Sequence, residues 1–333
     1  MNLVPALSEL TEAYAVTRRA TQVTPLLDSG ALAQATGAAR VFVKPESLQW
    51  AGSFKVRGAY WRLTQLSPDE ARRGVVAYSS GNFAQGLAAA GRAQGVPVTI
   101  VMPVDAPETK RRATEGYGAK VVLSDHGDRP REEAASALAR EIAGAEGLVL
   151  LHPFDDRAIV AGQAGAGLEA LEQLEAAGAT ADLVACPVGG GGLIGGVALA
   201  FHYVSPATRI FAVEPEGYNA MGVSLARGEI TRVAGSRPTI CDALQATQPG
   251  QAPFAAARAA GVAGVAVTDD AVRAALRFAF EKLKLVLEPS GAVALAAALT
   301  GLLPLRDKVA VIFATGGNIA PDKFLSFLAD GSA

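Results

Sequence analysis

The sequence predicts an α/β fold of two lobes, each with a mainly parallel sheet covered by helices. Three observations carry that prediction. Short apolar runs alternate with helix-length stretches along most of the chain, as in successive βαβ units. The runs are apolar on both faces, which is what strands covered on two sides require. At 333 residues the chain is also long for a single core.

Taken in order, residues 5–20 read as a surface helix, and Thr24-Pro25-Leu26 as a capped restart. Residues 41–43 form a short strand that leads through Lys44-Pro45-Glu46 into 50–60. A helix follows over 59–66. Ser67-Pro68-Asp69-Glu70 then supplies an N-cap, a proline at the first helical position and acids in the first turn. Strands are expected at 75–78, 98–101, 121–123 and 148–151, with helices at 83–94, 107–117 and 132–145 between them. The theme repeats with strands at 183–186, 210–213, 265–267 and 309–313 and helices at 159–176, 193–204, 271–283 and 291–299. Residues 228–253 lack periodicity and read as loop and short elements. The division expected is a small inserted domain, 75–151, within a larger one formed by 1–74 and 152–333.

Composition excludes several classes. Half the residues are hydrophobic and the formal charge is −2, with basic residues scattered, so no nucleic-acid surface is expected. No run is long and apolar enough to span a bilayer, and the first fifteen residues carry acids rather than a signal peptide's apolar core. Cys186 and Cys241 read as reduced core thiols rather than a disulfide framework. His126, His152 and His202 lack ligand spacing, so a histidine metal site is not expected. The expectation is a soluble, cytoplasmic protein.

Four stretches carry chemistry. In Ser53-Phe54-Lys55-Val56-Arg57 a lysine lies between an aromatic and an aliphatic neighbour at a helix start; burial would lower its pKa and make a nucleophilic amine. Taken alone, the same lysine reads as a solvated helix-start side chain. Gly189-Gly190-Gly191-Gly192 follows a strand and opens a helix, so successive backbone N–H groups and the helix N-terminus can hold a phosphate without a cationic side chain. Gly190, Gly192 and Gly195 also satisfy a dinucleotide fingerprint, with Glu214 ending the next strand, which keeps a nicotinamide-dependent dehydrogenase as a rival. Ala314-Thr315-Gly316-Gly317-Asn318 places a hydroxyl at the C-terminal end of a strand, where α/β folds bind ligands. Ser79-Ser80-Gly81-Asn82 offers hydroxyls and N–H groups suited to a carboxylate, although Ser79 or Ser80 alone reads as a helix N-cap. A phosphate site, a ring-nitrogen partner, a carboxylate site and an amine together match the requirements of pyridoxal phosphate.

Those stretches, together with Gly162-Gln163 and Glu288-Pro289-Ser290-Gly291-Ala292, run in the order found in the fold type II (tryptophan synthase β-like) pyridoxal-phosphate enzymes. The chain most resembles their serine/threonine dehydratase and serine racemase group. That resemblance implies that Lys55 binds the cofactor as a Schiff base and removes the substrate α-proton. It implies that Phe54 packs beside the ring and Asn82 bonds its hydroxyl. Gly189, Gly190, Gly191, Gly192 and the helix start at Leu193 would cradle the phosphate, and Thr315 would reach the ring nitrogen. Ser79, Ser80, Gly81 and Asn82 would grip the substrate carboxylate, with Ser80 able to exchange a proton on the opposite face. The activity implied is deamination of L-threonine and L-serine in a homodimer, with racemization or dehydration of another 3-hydroxy amino acid as the alternative.

The chain departs from the group's pattern in three places. Phe83 stands where histidine is usual, so an apolar substrate pocket is expected. Cys241-Asp242-Ala243-Leu244 replaces a common Asp-Gly pair. Glu214 matches one ligand of the divalent cation that many relatives bind, but Ala220 occupies the position of a second, so no firm metal site is expected. The chain leaves only a short helix after Asn318, so feedback control through a further domain is not expected.

Overall fold

The computed structural model describes residues 3–127, 131–235 and 237–329. From the N-terminus the elements are α1 (Leu7–Ala20), β1 (Leu27–Asp28), α2 (Gly30–Thr36), β2 (Arg40–Pro45), α3 (Lys55–Thr64) and α4 (Pro68–Arg73). Next come β3 (Val75–Tyr78), α5 (Asn82–Gln94), β4 (Val98–Pro103), α6 (Glu108–Gly116), β5 (Lys120–Ser124), α7 (Arg131–Glu146) and β6 (Val149–Leu151). The chain continues through α8 (Arg157–Ala176), β7 (Leu183–Pro187), α9 (Gly192–Val204), β8 (Arg209–Pro215), α10 (Ala220–Arg227), α11 (Gln251–Ala259) and β9 (Ala263–Val267). It ends with α12 (Asp269–Phe278), α13 (Pro289–Leu299), β10 (Val309–Ala314) and α14 (Pro321–Ala329).

Among the described residues the strands form two sheets. One has four strands in the order β5-β4-β3-β6, all parallel; the other has six in the order β1-β2-β10-β7-β8-β9, parallel except for the β1–β2 pair. The larger sheet is buried on both faces. Val43, Ala185, Val213 and Ile312 face α12 and α13, while Val184, Ala212, Val311 and Phe313 face Leu193, Val197 and Phe201 of α9. Apolar character all round fits α9 and α13 for that position.

Helix α3 joins the two layers. Its Val56, Ala59 and Leu63 pack with Val75, Leu87 and Ile100 of the four-stranded layer and with Ile159 of α8. The approach to α8 depends on paired glycines, since a Cβ on Gly162 would meet the Gly58 Cα at 2.8 Å. Beneath α3 lies a buried ionic cluster. Arg57 pairs with Glu46 (Nε–Oε2 2.7 Å) and Glu169 (Nη2–Oε1 2.7 Å), and Lys44 Nζ reaches Glu169 at 2.7 Å, all four side chains being at most 1% exposed. The cluster contains two cations and two anions, and each carboxylate is bonded to more than one donor.

Most expected elements are present, with shifts at their ends. The helix carrying Lys55 begins at Lys55 itself, and Phe54 precedes it as the cap residue. The 228–253 stretch holds the single turn Asp242–Leu244 and the start of α11.

Candidate active site

The turn into Lys55 is clasped by the loop after β10. Ala51 (φ 57°) and Gly52 (φ 68°) take left-handed conformations, the first costing about 1–3 kcal/mol for a residue with a Cβ. The clasp offsets that cost. Gly317 N donates to Gly52 O at 3.0 Å, Asn318 Nδ2 donates to Ala51 O at 2.7 Å, and Ser53 bridges to Gly316. Phe54 N donates to Thr315 O at 3.4 Å, which sets Thr315 beside the residue preceding Lys55.

Lys55 is half-buried as a residue, but its amine lies deep in protein. Nζ donates to Pro153 O at 3.2 Å and sits 5.2 and 5.6 Å from the ring centroids of Phe54 and Phe83. Desolvation lowers its pKa to about 8, only partly opposed by the carboxyl of Glu288. A substantial neutral fraction is therefore present at mildly alkaline pH.

Helix α5 packs directly on this lysine, with Gly86 so close that a Cβ there would meet Lys55 Cβ at 2.9 Å. One turn earlier, Asn82 is held from two sides: its Nδ2 donates to Glu288 Oε1 and its Oδ1 accepts from Asn318 Nδ2 at 2.8 Å. Burial raises the Glu288 carboxyl to about 7, with Asp242 pushing the same way. Neither Ser79 nor Ser80 is the cap residue; that place falls to Gly81, while Ser79 Oγ accepts from Gly81 N at 3.2 Å. Without a side-chain cap, first-turn N–H groups of α5 remain open to an acceptor. Phe83 is 1% exposed and belongs to the core beside Lys55.

The glycine loop connects β7 to α9. Gly191 has φ 100° and precedes α9 with no side-chain cap, so the N–H groups of Gly192, Leu193 and Ile194 lack helical acceptors. Side chains are excluded here by contact: a Cβ on Gly190 would enter the Phe154 ring, and one on Gly191 would lie 2.8 Å from Pro253 Cβ. Gly190 O accepts from Gly250 N at 3.0 Å, which fixes the loop's outer turn. These residues fit a phosphorylated pyridine aldehyde: a desolvated amine, an open nest of N–H groups and a neutral hydroxyl residue at Thr315 are brought together, since Pro153–Phe154 touches both Lys55 Nζ and the glycine loop and Thr315 is bonded to Phe54.

Sequence reasoning gave no role to Glu288, Asn318 or the Tyr78–His152 pair. His152 Nδ1 accepts from Asp155 N at 2.9 Å, so the neutral ring carries its proton on Nε2 and donates it to Tyr78 Oη, 3.2 Å away. Burial lowers the His152 pKa further. Glu288 precedes a proline at a helix start and reads locally as a cap; its side chain caps nothing and turns to Asn82 instead. Glu214 does not serve a ribose. It is buried at the end of β8, and its two oxygens accept from Met221 N and Gly222 N of α10 at 2.8 Å each. The dehydrogenase reading loses its acid. Among the described residues, no three His, Cys, Asp or Glu side chains cluster as metal ligands, and no helix is long and apolar enough to cross a membrane.

Comparison with known proteins agrees with this geometry. Residues 17–316 match the family model described as pyridoxal-phosphate dependent enzyme. An L-threonine ammonia-lyase from Thermotoga maritima is 39% identical over 94% of this chain and 75% of its own length. The crystal structure of a threonine deaminase from T.th. superposes with a TM-score of 0.87 at 37% identity, covering 95% of this chain and 99% of that one. Maize serine racemase superposes at 0.89 with 32% identity, covering 98% of each chain. The chain belongs to the pyridoxal-phosphate dependent enzymes of fold type II, in the threonine dehydratase and serine racemase group.

Proposed function

We propose that the enzyme eliminates the β-hydroxyl of L-threonine and L-serine, giving 2-oxobutanoate or pyruvate and ammonia. The observation that carries the reading is the residue type at the end of β10: Thr315, tied to Phe54 N through its backbone carbonyl, is a neutral hydroxyl residue where a carboxylate would be needed to keep a ring nitrogen protonated. Pyridoxal phosphate, when bound, supplies an electron sink; a neutral partner leaves that sink weak, which favours prompt loss of the β-hydroxyl over transamination. Lys55 would hold the cofactor and, as a neutral amine, take the α-proton at Nζ. Gly189 to Leu193 would hold the phosphate, Asn82 the ring hydroxyl, and Ser79 to Asn82 the substrate carboxylate. Phe83 would exclude water from the apolar wall beside Lys55.

The same reading takes residues 75–151 as a small domain inserted in a larger one formed by 1–74 and 152–333. It places the enzyme in the cytoplasm, supported by two buried free thiols, and assembles it as a homodimer, supported by exposed Leu48, Trp50 and Val286. Racemization of serine is the second reading, favoured by Ser80, which lies on the same turn as the N–H groups that would bind the carboxylate.

The test is 2-oxobutanoate formation from L-threonine, with chiral analysis of residual serine in a parallel reaction. Turnover is expected to fall at least a thousandfold in Lys55→Ala, roughly the loss of general-base and covalent catalysis together. Normal turnover in that variant would overturn the reading, and D-serine without keto acid would favour racemization.

A further inference from the structure

The two layers meet differently on the two sides of the cleft. On one side, α3 joins them through continuous apolar packing around Val56, Ala59, Leu63 and Ile159. At the rim, a polar contact crosses between them: Lys110 Nζ of α6 donates to Asp242 Oδ2 at 2.9 Å. Helix α6 lies between β4 and β5 of the four-stranded sheet. Asp242 opens a single turn on the other layer, where Ala243 N donates to Ser290 Oγ of α13 at 3.0 Å. The Ala243 carbonyl lies against the glycine loop, 3.1 Å from where a Cβ on Gly189 would stand.

We infer that the Lys110–Asp242 pair is a latch across the cleft, holding α6 against the turn that walls the glycine loop and releasing it for exchange of substrate and product. The setting suits a reversible tie. Lys110 is 18% exposed and Asp242 40%, so water reaches the pair and salt screens it. A pair of this kind biases an equilibrium about two- to fivefold, too little to lock the cleft shut. Asp242 also has Lys323 of α14 at 3.9 Å. That second cation remains when Lys110 releases, so Asp242 is not left unpaired in the open state. Lys323 is on the same layer as Asp242, so its attraction does not hold the layers together. The polar contacts from Asn82 to Glu288 and to Asn318 also cross the cleft, but they lie deep at the site and are buried or nearly so.

The inference rests on the proposed lyase activity only for its kinetic readout, so two readouts are measured on the holoenzyme. Hydrogen exchange of the α6 amides reports opening whatever the substrate, and KM against kcat for L-threonine reports its consequence. Lys110→Met and Asp242→Asn shift the Glu288 carboxyl in opposite directions, yet each is expected to speed α6 exchange and raise KM two- to fivefold, so a shared response separates the latch from that electrostatic effect. The double variant should match either single one, and Lys323→Met should behave as wild type. Wild-type exchange should itself rise with salt, a response reduced in Lys110→Met to what the exposed pairs within α6 leave. Unchanged α6 exchange in both single variants, additive effects in the double, or an equal effect from Lys323→Met would overturn the latch. Failure of threonine turnover with the exchange pattern intact would count against the lyase reading alone.

Discussion

Lys55 is held among carbonyls and rings that give a charge little solvation, and that same desolvation leaves part of its amine in the neutral form the proposed reaction needs. The fold lowers its pKa from 10.5 to about 8. Because the unfolded chain binds the proton more tightly, between those values it carries more protons than the folded one, and folding stability from this group rises with pH. Below about 8 both states are charged and the penalty is constant; above 10.5 neither is, and it is absent. In cofactor-free protein, wild type is therefore expected to gain stability relative to Lys55→Met as pH rises from about 8 to 10.5, measured by urea unfolding. A difference independent of pH over that window would show that the amine is not desolvated in the fold. This residue was legible in the sequence through its neighbours and through the glycine loop and other stretches that follow it in order. Glu288 was not, because a glutamate before proline at a helix start has a sufficient local explanation in capping. Only the tertiary fold shows its carboxyl turned to Asn82.

Helix α3 shows what the element scale adds. Its start at Lys55 and the helical pattern of its second half could be read from the sequence, but not the tertiary contacts that fix that start, the Gly316–Asn318 clasp and the left-handed pair Ala51 and Gly52. Its seating depends on Arg57, which no local pattern distinguishes from a surface arginine. Replacing Arg57 by Met would leave Glu46 and Glu169 buried with Lys44 alone between them. Removing one partner of a buried pair typically costs about 3–5 kcal/mol, and that loss is expected in denaturant unfolding of Arg57→Met. A loss below about 1 kcal/mol would show that the cluster does not carry the helix. The short elements β1, α2 and α10 escaped the sequence reading because each is too brief for periodicity to show. The available signals were the cap residues: Ser29 and Gly37 (φ 69°) around α2, and Gly228 (φ 76°) after α10.

For the whole molecule, alternation of strand and helix sufficed to predict two parallel sheets, because burial on both faces leaves a strong composition signal. The relation between the sheets is not encoded in any such pattern. It arises from α3 packing on both layers and from contacts between residues far apart in sequence, Asn82 with Glu288 and Lys110 with Asp242. In the proposed function this arrangement prepares one lysine to carry the cofactor. Lys44 is more buried than Lys55, but its amine is committed to Thr24 O, Glu169 Oε1 and Gln173 Oε1 at 2.7–2.8 Å. Lys55 has one carbonyl partner, 3.2 Å away. The most direct measurement is borohydride reduction of the yellow holoenzyme followed by peptide mapping. The account predicts a single pyridoxyl label on the peptide containing Lys55. A label on another lysine, or a protein that stays colourless with added pyridoxal phosphate, would contradict it.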